Sequence, residues 1–260
     1  MNSSSNRPVA LVTGASSGIG AAFARELARH GHDLVLTARG SAPMEALAEE
    51  VRGLGASATV IPADLAVPGG AASLVRALSG AEVDVLVNNA GLGAVGRFDR
   101  IEAARHAEIM QVNMVALTEL TQALLPAMLA RRRGRIVLVA STASFLPCPN
   151  MAVYAASKAY VRSFGEALAQ ELTGSGVTVN VLCPGVTATN FFAIAGSLPS
   201  GVQTRRMMTA DEVAKIGYAG LMRGERVTVA GLANRILAFA ATHTPHFLTL
   251  PATQRMMSND

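Results

Sequence analysis

The chain has 260 residues, half of them hydrophobic and 15% charged, with a formal net charge of +4. That balance excludes a disordered chain and supplies enough apolar side chains for a sizeable core. Two cysteines, Cys148 and Cys183, exclude a disulfide scaffold or a multi-cysteine zinc site and fit a reducing, cytoplasmic setting.

Met1 to Arg7 is polar, lacks the apolar core of a secretory signal, and reads as a disordered lead-in. Short β-branched runs then alternate with Ala- and Leu-rich segments. Strands are expected at 9–12, 33–37, 58–61, 83–87, 136–140, 177–182 and 226–230. Helices are expected at 19–30, 42–52, 71–78, 100–131, 152–172 and 232–241. The strands are nearly continuous apolar runs, as in a sheet covered on both faces, and their alternation with helices predicts an α/β fold with a doubly wound parallel sheet. Gly31, Gly134 and Gly174 stand at expected helix ends. No linker divides the chain, so residues 1–260 read as one domain. Residues 184–208 read as a functional loop, with a substrate lid at about 188–210. Thr209 and Glu212 have the spacing of a capping box. The segment from His243 onward carries Pro245 and Pro251 and has no assigned structure.

No charge-free apolar stretch of about 18 residues is found, so no membrane span is expected. The basic balance suggests no nucleic-acid partner, because its arginines are scattered. The one run, Arg131 to Arg133 with Arg135, reads as a solvated helix end that complements the helix dipole. None of the five histidines has metal-ligand spacing with nearby acids, so no metal site is expected.

The first strand runs into Thr13-Gly14-Ala15-Ser16-Ser17-Gly18-Ile19-Gly20 and then a helix. Glycines in that context let the backbone approach a pyrophosphate, and the helix start supplies amide donors. Asn88-Asn89-Ala90-Gly91 follows the fourth strand, Asn113 lies in the long helix, and Ser141 ends the fifth strand. Tyr154 and Lys158 follow at i and i+4, on one helix face, and Lys158 is one of only two lysines. Pro184-Gly185 closes the sixth strand, with Thr187 and Thr189 beyond.

Taken together, in this order and on these elements, the motifs resemble those of the short-chain dehydrogenase/reductase family, over about residues 9–189 and less closely to 230. The resemblance implies a Rossmann-type sheet and an oxidoreductase that moves hydride between a nicotinamide and a carbonyl or secondary alcohol. Tyr154 would be the general acid and base, with Lys158 lowering its pKa and holding the nicotinamide ribose. Ser141 would orient the substrate oxygen, and Asn113 would hold a water in a proton relay. The cofactor would lie against Gly14, Ser16, Ser17, Gly18, Ile19, Gly20, Asn89, Ala90, Gly91, Pro184, Gly185, Thr187 and Thr189, with Asp64 and Leu65 at the adenine. The second strand ends at Ala38-Arg39 with no acid for a ribose 2′-hydroxyl, and a guanidinium suits a 2′-phosphate, so NADP(H) is expected over NAD(H). A homo-oligomer, built through the helices at 100–131 and 152–172, is expected on the same ground.

Three segments should surround the nicotinamide: 92–98, 145–153 and 188–208. Their Leu92, Val95, Phe145, Leu146, Met151, Phe191, Phe192, Ile194 and Leu198 favour a small apolar ketone or alcohol as substrate. Gly196 and Gly201 would let the lid close, while Arg205 and Arg206 read as exposed surface. Cys148 is expected near the pocket and Cys183 at a strand end. Two alternatives are a ketoreductase for carrier-bound acyl chains, supported only by the arginine run, and a non-catalytic NADP-binding sensor. The intact Ser141, Tyr154 and Lys158 set argues against the sensor.

Overall fold

The structure, a computed structural model, describes residues 7–196 and 207–257. The lead-in at 1–6 and the expectations for Leu198, Gly201, Arg205 and Arg206 lie outside the described residues.

Strands β1 (Val9–Thr13), β2 (Asp33–Thr37), β3 (Ala58–Val60), β4 (Val83–Asn88), β5 (Gly134–Val139) and β6 (Val177–Cys183) form where the β-branched runs predict them. A two-stranded ladder of β7 (Thr187–Ala188) and β8 (Met208–Thr209) follows, then β9 (Val227–Val229). Seven strands make one parallel sheet in the order β3-β2-β1-β4-β5-β6-β9. Every residue of β2 and β4 is buried, as expected of strands covered on both faces.

Helices α1 (Gly18–Arg29) and α2 (Ser41–Gly53) bury Phe23, Leu27, Met44 and Val51 against one sheet face. The same face takes Val213 and Leu221 of α8 (Ala210–Arg223), whose start is closed by the expected capping box. The opposite face is covered by α3 (Gly70–Ala77), α5 (Leu117–Ala130) and α6 (Ala152–Glu171), through Leu74, Leu120 and Val161. The fold is the expected Rossmann-type α/β sheet.

Five features differ from the sequence reading. The long helix expected at 100–131 is not uniform. A 3₁₀ turn at Phe98–Arg100 precedes α4 (Ala103–Met110), and a π-helical turn at Gln111–Ala116 joins α4 to α5. This wider turn carries Asn113, and such turns frequently mark functional positions. The helical run Ala103–Ala130 is long and apolar enough, by length and composition, to cross a membrane, although Glu108 and Glu119 leave it without a charge-free stretch of 18 residues. In the fold it is a core wall that buries Ile109, Asn113, Leu120 and Met128.

Gly134 does not end a helix. Arg132 takes the left-handed conformation after α5 (φ +51°), and Gly134 opens β5, where a Cβ would stand 2.6 Å from Met128 Sδ. The arginine run is not simply solvated. Arg131 donates to the Val83 carbonyl, Arg132 to Gly174 and Arg135 to Leu221, while Arg133 pairs with Asp84 at 2.8 Å. These arginines tie strand and helix ends together, while Arg132 and Arg133 keep exposed side chains.

The loop after β6 contains β7 and a short helix, α7 (Phe191–Ala195). The unassigned C-terminal segment is helical as well. After α9 (Leu232–His243), α10 (His246–Met257) runs through Pro251 and buries Thr253 and Met257.

Candidate active site

In the sheet order, the chain leaves β1 toward β2 on one side and reaches β5 from β4 on the other. The reversal between β1 and β4 opens a crevice beyond the carboxyl ends of the strands. A cleft of about 780 Å³ lies there. It is lined by Gly14, Ser16, Ser17, Gly18, Ile19, Arg39, Asp64, Leu65, Asn89, Ala90, Gly91, Ser141, Tyr154, Lys158, Pro184, Gly185, Thr187 and Thr189. Of the expected site residues, Gly20 and Asn113 do not line it and instead stand behind the wall.

The glycine turn is built for close backbone approach. Gly14 and Gly18 have φ of +65° and +57°, a conformation costly for other residues. A Cβ at Gly20 would stand 2.3 Å from the Gly14 carbonyl oxygen. Asn89 holds this turn from behind, donating through Nδ2 to the Thr13 carbonyl at 2.9 Å, while Thr13 Oγ1 accepts from the Asn89 and Ala90 amides. Asn89 therefore acts first as a brace between β1 and β4. Thr37 Oγ1 lies buried with no hydrogen-bond partner, in a residue that lines the same cleft. Arg39 is exposed and forms no ion pair or hydrogen bond among the described residues. A glycine cradle that a Cβ would fill, an orphaned hydroxyl and an uncommitted guanidinium fit a dinucleotide.

Ser141 follows β5 and caps the 3₁₀ turn Thr142–Phe145, its Oγ accepting from the Ala143 amide at 3.1 Å. It also hydrogen-bonds Tyr154. Lys158 is buried one turn along α6, donates to the Val139 carbonyl at 2.8 Å, and stands 5.9 Å from the Tyr154 ring centre. Gly91 permits this arrangement, since a Cβ there would lie 3.3 Å from Lys158 Nζ and 3.4 Å from Asn113 Oδ1. Asn113 accepts from the Leu92 amide at 2.8 Å and donates to the Leu92 carbonyl and to Ser157 Oγ. It thus fixes the segment after β4 to the helix that carries Tyr154.

The electrostatics correct one expectation. Burial pushes the Tyr154 phenol up to about 12, only partly offset by the Ser141 hydrogen bond, whereas the sequence predicted a lowered value. Burial also brings Lys158 down to about 8. Sequence spacing shows a neighbouring ammonium but not how far water is excluded. For Lys158 the unfolded chain keeps its proton to about 10.5, so between pH 8 and 10.5 it binds more protons than the folded protein, and this group makes stability rise with pH there. Lys158→Met is therefore expected to raise the melting temperature of the cofactor-free protein below pH 8. Thermal melts at increasing pH should show that advantage shrink, and a pH-independent difference would contradict it.

The substrate end of the cleft is apolar. Leu92, Leu146, Met151, Phe191, Phe192 and Ile194 line it, with Phe191 packed on Tyr154 at 5.1 Å between ring centres. Arg39, Asp64 and Lys158 are the only Asp, Glu, Lys or Arg side chains among the described lining residues. Two expected residues are elsewhere. Phe145 packs into the core with Arg162 over its ring, and Val95 supports the pocket from outside its lining. Cys148 lines the cleft, its thiol pushed up to about 11 by burial, and Cys183 is buried at the end of β6. Met208, at the end of the expected 188–208 segment, lines the cleft; sequence reasoning missed Leu237 and the residues of α10 that line it.

The family model described as short chain dehydrogenase matches residues 8–197. A short-chain dehydrogenase from Sphingobium yanoikuyae, solved in complex with NADPH, is 34% identical with a TM-score of 0.82, covering 94% of this chain and 95% of that one. The bulky-bulky ketone specific alcohol dehydrogenase from Comamonas testosteroni is 31% identical with a TM-score of 0.78, covering 96% and 93%. A short-chain dehydrogenase/reductase from Burkholderia phymatum, solved with NAD, is 26% identical with a TM-score of 0.80, covering 90% and 92%. This chain belongs to the short-chain dehydrogenase/reductase family and is an oxidoreductase with that family's nucleotide cleft.

Proposed function

We propose that the protein is an NADP(H)-dependent oxidoreductase acting on a carbonyl or secondary alcohol of an apolar small molecule, with Tyr154 as general acid and base. The observation that carries this reading is the convergence of Ser141, Tyr154 and Lys158 in one cleft with the glycine turn and Arg39. When bound, the nicotinamide donates or accepts the hydride. Gly14, Ser16, Ser17, Gly18 and Ile19 offer backbone and hydroxyl groups to the pyrophosphate, Arg39 meets the 2′-phosphate, and Asp64 with Leu65 borders the adenine. The Sphingobium yanoikuyae neighbour with NADPH supports that choice, and the one with NAD makes it a matter for measurement.

Ser141 orients the substrate oxygen, and Tyr154 gives it a proton as carbon gains hydride. The raised phenol pKa keeps Tyr154 protonated at neutral pH, which suits reduction. Lys158, protonated below about pH 8, stabilises the phenolate left after transfer. The water relay through Asn113 stays part of the proposal. A homo-oligomer and a cytoplasmic setting belong to it too. The exposed Met110, Val115 and Tyr160 along α4–α6 support the first, and the two buried free cysteines support the second. Light scattering checks the oligomer.

A panel of ketones followed by NADPH absorbance tests the reading. Uncharged aryl and alkyl ketones should be reduced at neutral pH, sugar phosphates should not, and the reverse oxidation should climb as pH rises through the alkaline range. Faster reduction of sugar phosphates than of apolar ketones would overturn the substrate class.

A further inference from the structure

Helix α10 is the part of the cleft wall that the family motifs leave unexplained. It follows Pro245 and contains Pro251, which removes a helical hydrogen bond, so contacts rather than propensity hold it. Asn150 Nδ2 donates to the Met257 carbonyl at 3.1 Å, while the Thr253 hydroxyl has its nearest acceptor in its own helix, the Thr249 carbonyl at 2.9 Å, with the Pro147 carbonyl 3.4 Å away. Asn150 sits in the left-handed region (φ +62°), and its own carbonyl accepts from the Gly96 amide at 2.8 Å. One residue thus joins the segment after β4, the loop before Tyr154 and the C-terminal helix.

Met257 is 5% exposed and clusters with Cys148, Met151 and Ala155, against which Tyr154, Phe191 and Phe192 pack. Met257, Met256 and Thr253 also line the cleft. Among the described residues, the wall beside the catalytic phenol therefore presents thioethers and aromatic rings and no charge. Methionine adapts to irregular apolar shapes, so such a wall accepts a bulky hydrocarbon group and rejects an ionic one.

We infer that α10 is the size-setting wall of the substrate end. Met257 is the specificity-determining residue for a bulky apolar group on one side of the carbonyl, and Asn150 is the latch that holds the wall in place. The inference rests on the dehydrogenase reading above and names its substrate class more closely: uncharged ketones with a large hydrocarbon substituent.

The test uses the full-length protein with a series of ketones in which one substituent grows from methyl to a fused aromatic ring. Met257→Ala should shift the ratio of kcat/KM for the largest over the smallest ketone upward by roughly tenfold, mainly through KM, and Met257→Phe should shift it downward. NADPH affinity should stay as in the wild type. Equal scaling of kcat/KM across the series in both variants would overturn the inference.

A second readout does not depend on turnover. Cys148 should react faster with a thiol reagent in Met257→Ala and Asn150→Ala, an apolar ketone should slow it in the wild type, and Cys183 should stay unlabelled as a sign of intact fold. If the wild type reduces no ketone, the dehydrogenase reading fails and this labelling decides the wall. Unchanged Cys148 rates in both variants then overturn it.

Discussion

Tyr154→Phe is expected to lower turnover with every ketone by roughly 100- to 10,000-fold, the usual contribution of a positioned general acid and base. The variant keeps the ring that packs on Phe191 at 5.1 Å and leaves α6 intact, so stability should hold. It loses the hydroxyl that bonds Ser141 and that delivers the proton as the carbonyl becomes an alcohol. Binding of NADPH should be little changed, because the glycine turn, Arg39 and Lys158 are untouched. Fluorescence titration and steady-state rates together separate the two effects. Near-normal turnover with normal binding would remove Tyr154 from the chemistry.

Arg39→Asp is expected to reverse the cofactor preference. A charge-assisted hydrogen bond contributes roughly 1.5–3 kcal/mol, but Arg39 is exposed and its field is screened. A loss of about tenfold in NADPH affinity is therefore the reasonable scale. The introduced carboxylate repels a 2′-phosphate and can accept from a 2′-hydroxyl, so affinity for NADH should rise. The NADPH penalty should also shrink as salt increases. An unchanged ratio of NADPH to NADH affinities would show that Arg39 does not read the 2′ position.

Much of this architecture is legible in the sequence because its signals are local. Val83 to Asn88 and Val177 to Cys183 are mostly apolar runs, broken by Asp84 in the first and by Thr178 and Asn180 in the second, and they read as buried parallel strands. Gly14, Gly18 and Gly20 mark a turn whose geometry tolerates no side chain, and Tyr154 and Lys158 share a face by helical period alone. What was missed depends on contacts between distant segments. The π-helical turn at Gln111–Ala116 follows from hydrogen-bond shifts that no residue type announces. Helix α10 looks like a broken tail because of Pro245 and Pro251, yet Asn150, more than 100 residues earlier, holds its end. The tyrosine pKa went the other way because spacing reveals a neighbour's charge but not the depth of burial. The arginine run is exposed at Arg132 and Arg133, as a solvated helix end should be, but its bonds to Val83, Asp84, Gly174 and Leu221 join distant segments and carry no local signal.

The most direct test of the central claim is isotopic. The purified protein is given an apolar ketone and NADPH carrying deuterium at the reactive nicotinamide carbon, and the alcohol is examined by mass spectrometry. Direct transfer assisted by Tyr154 predicts one deuterium at the carbinol carbon, with labelled alcohol forming roughly 100- to 10,000-fold more slowly with Tyr154→Phe and none detected over the same time without protein. An alcohol that carries no deuterium, or NADPH that binds and is never consumed with any ketone, would contradict the account.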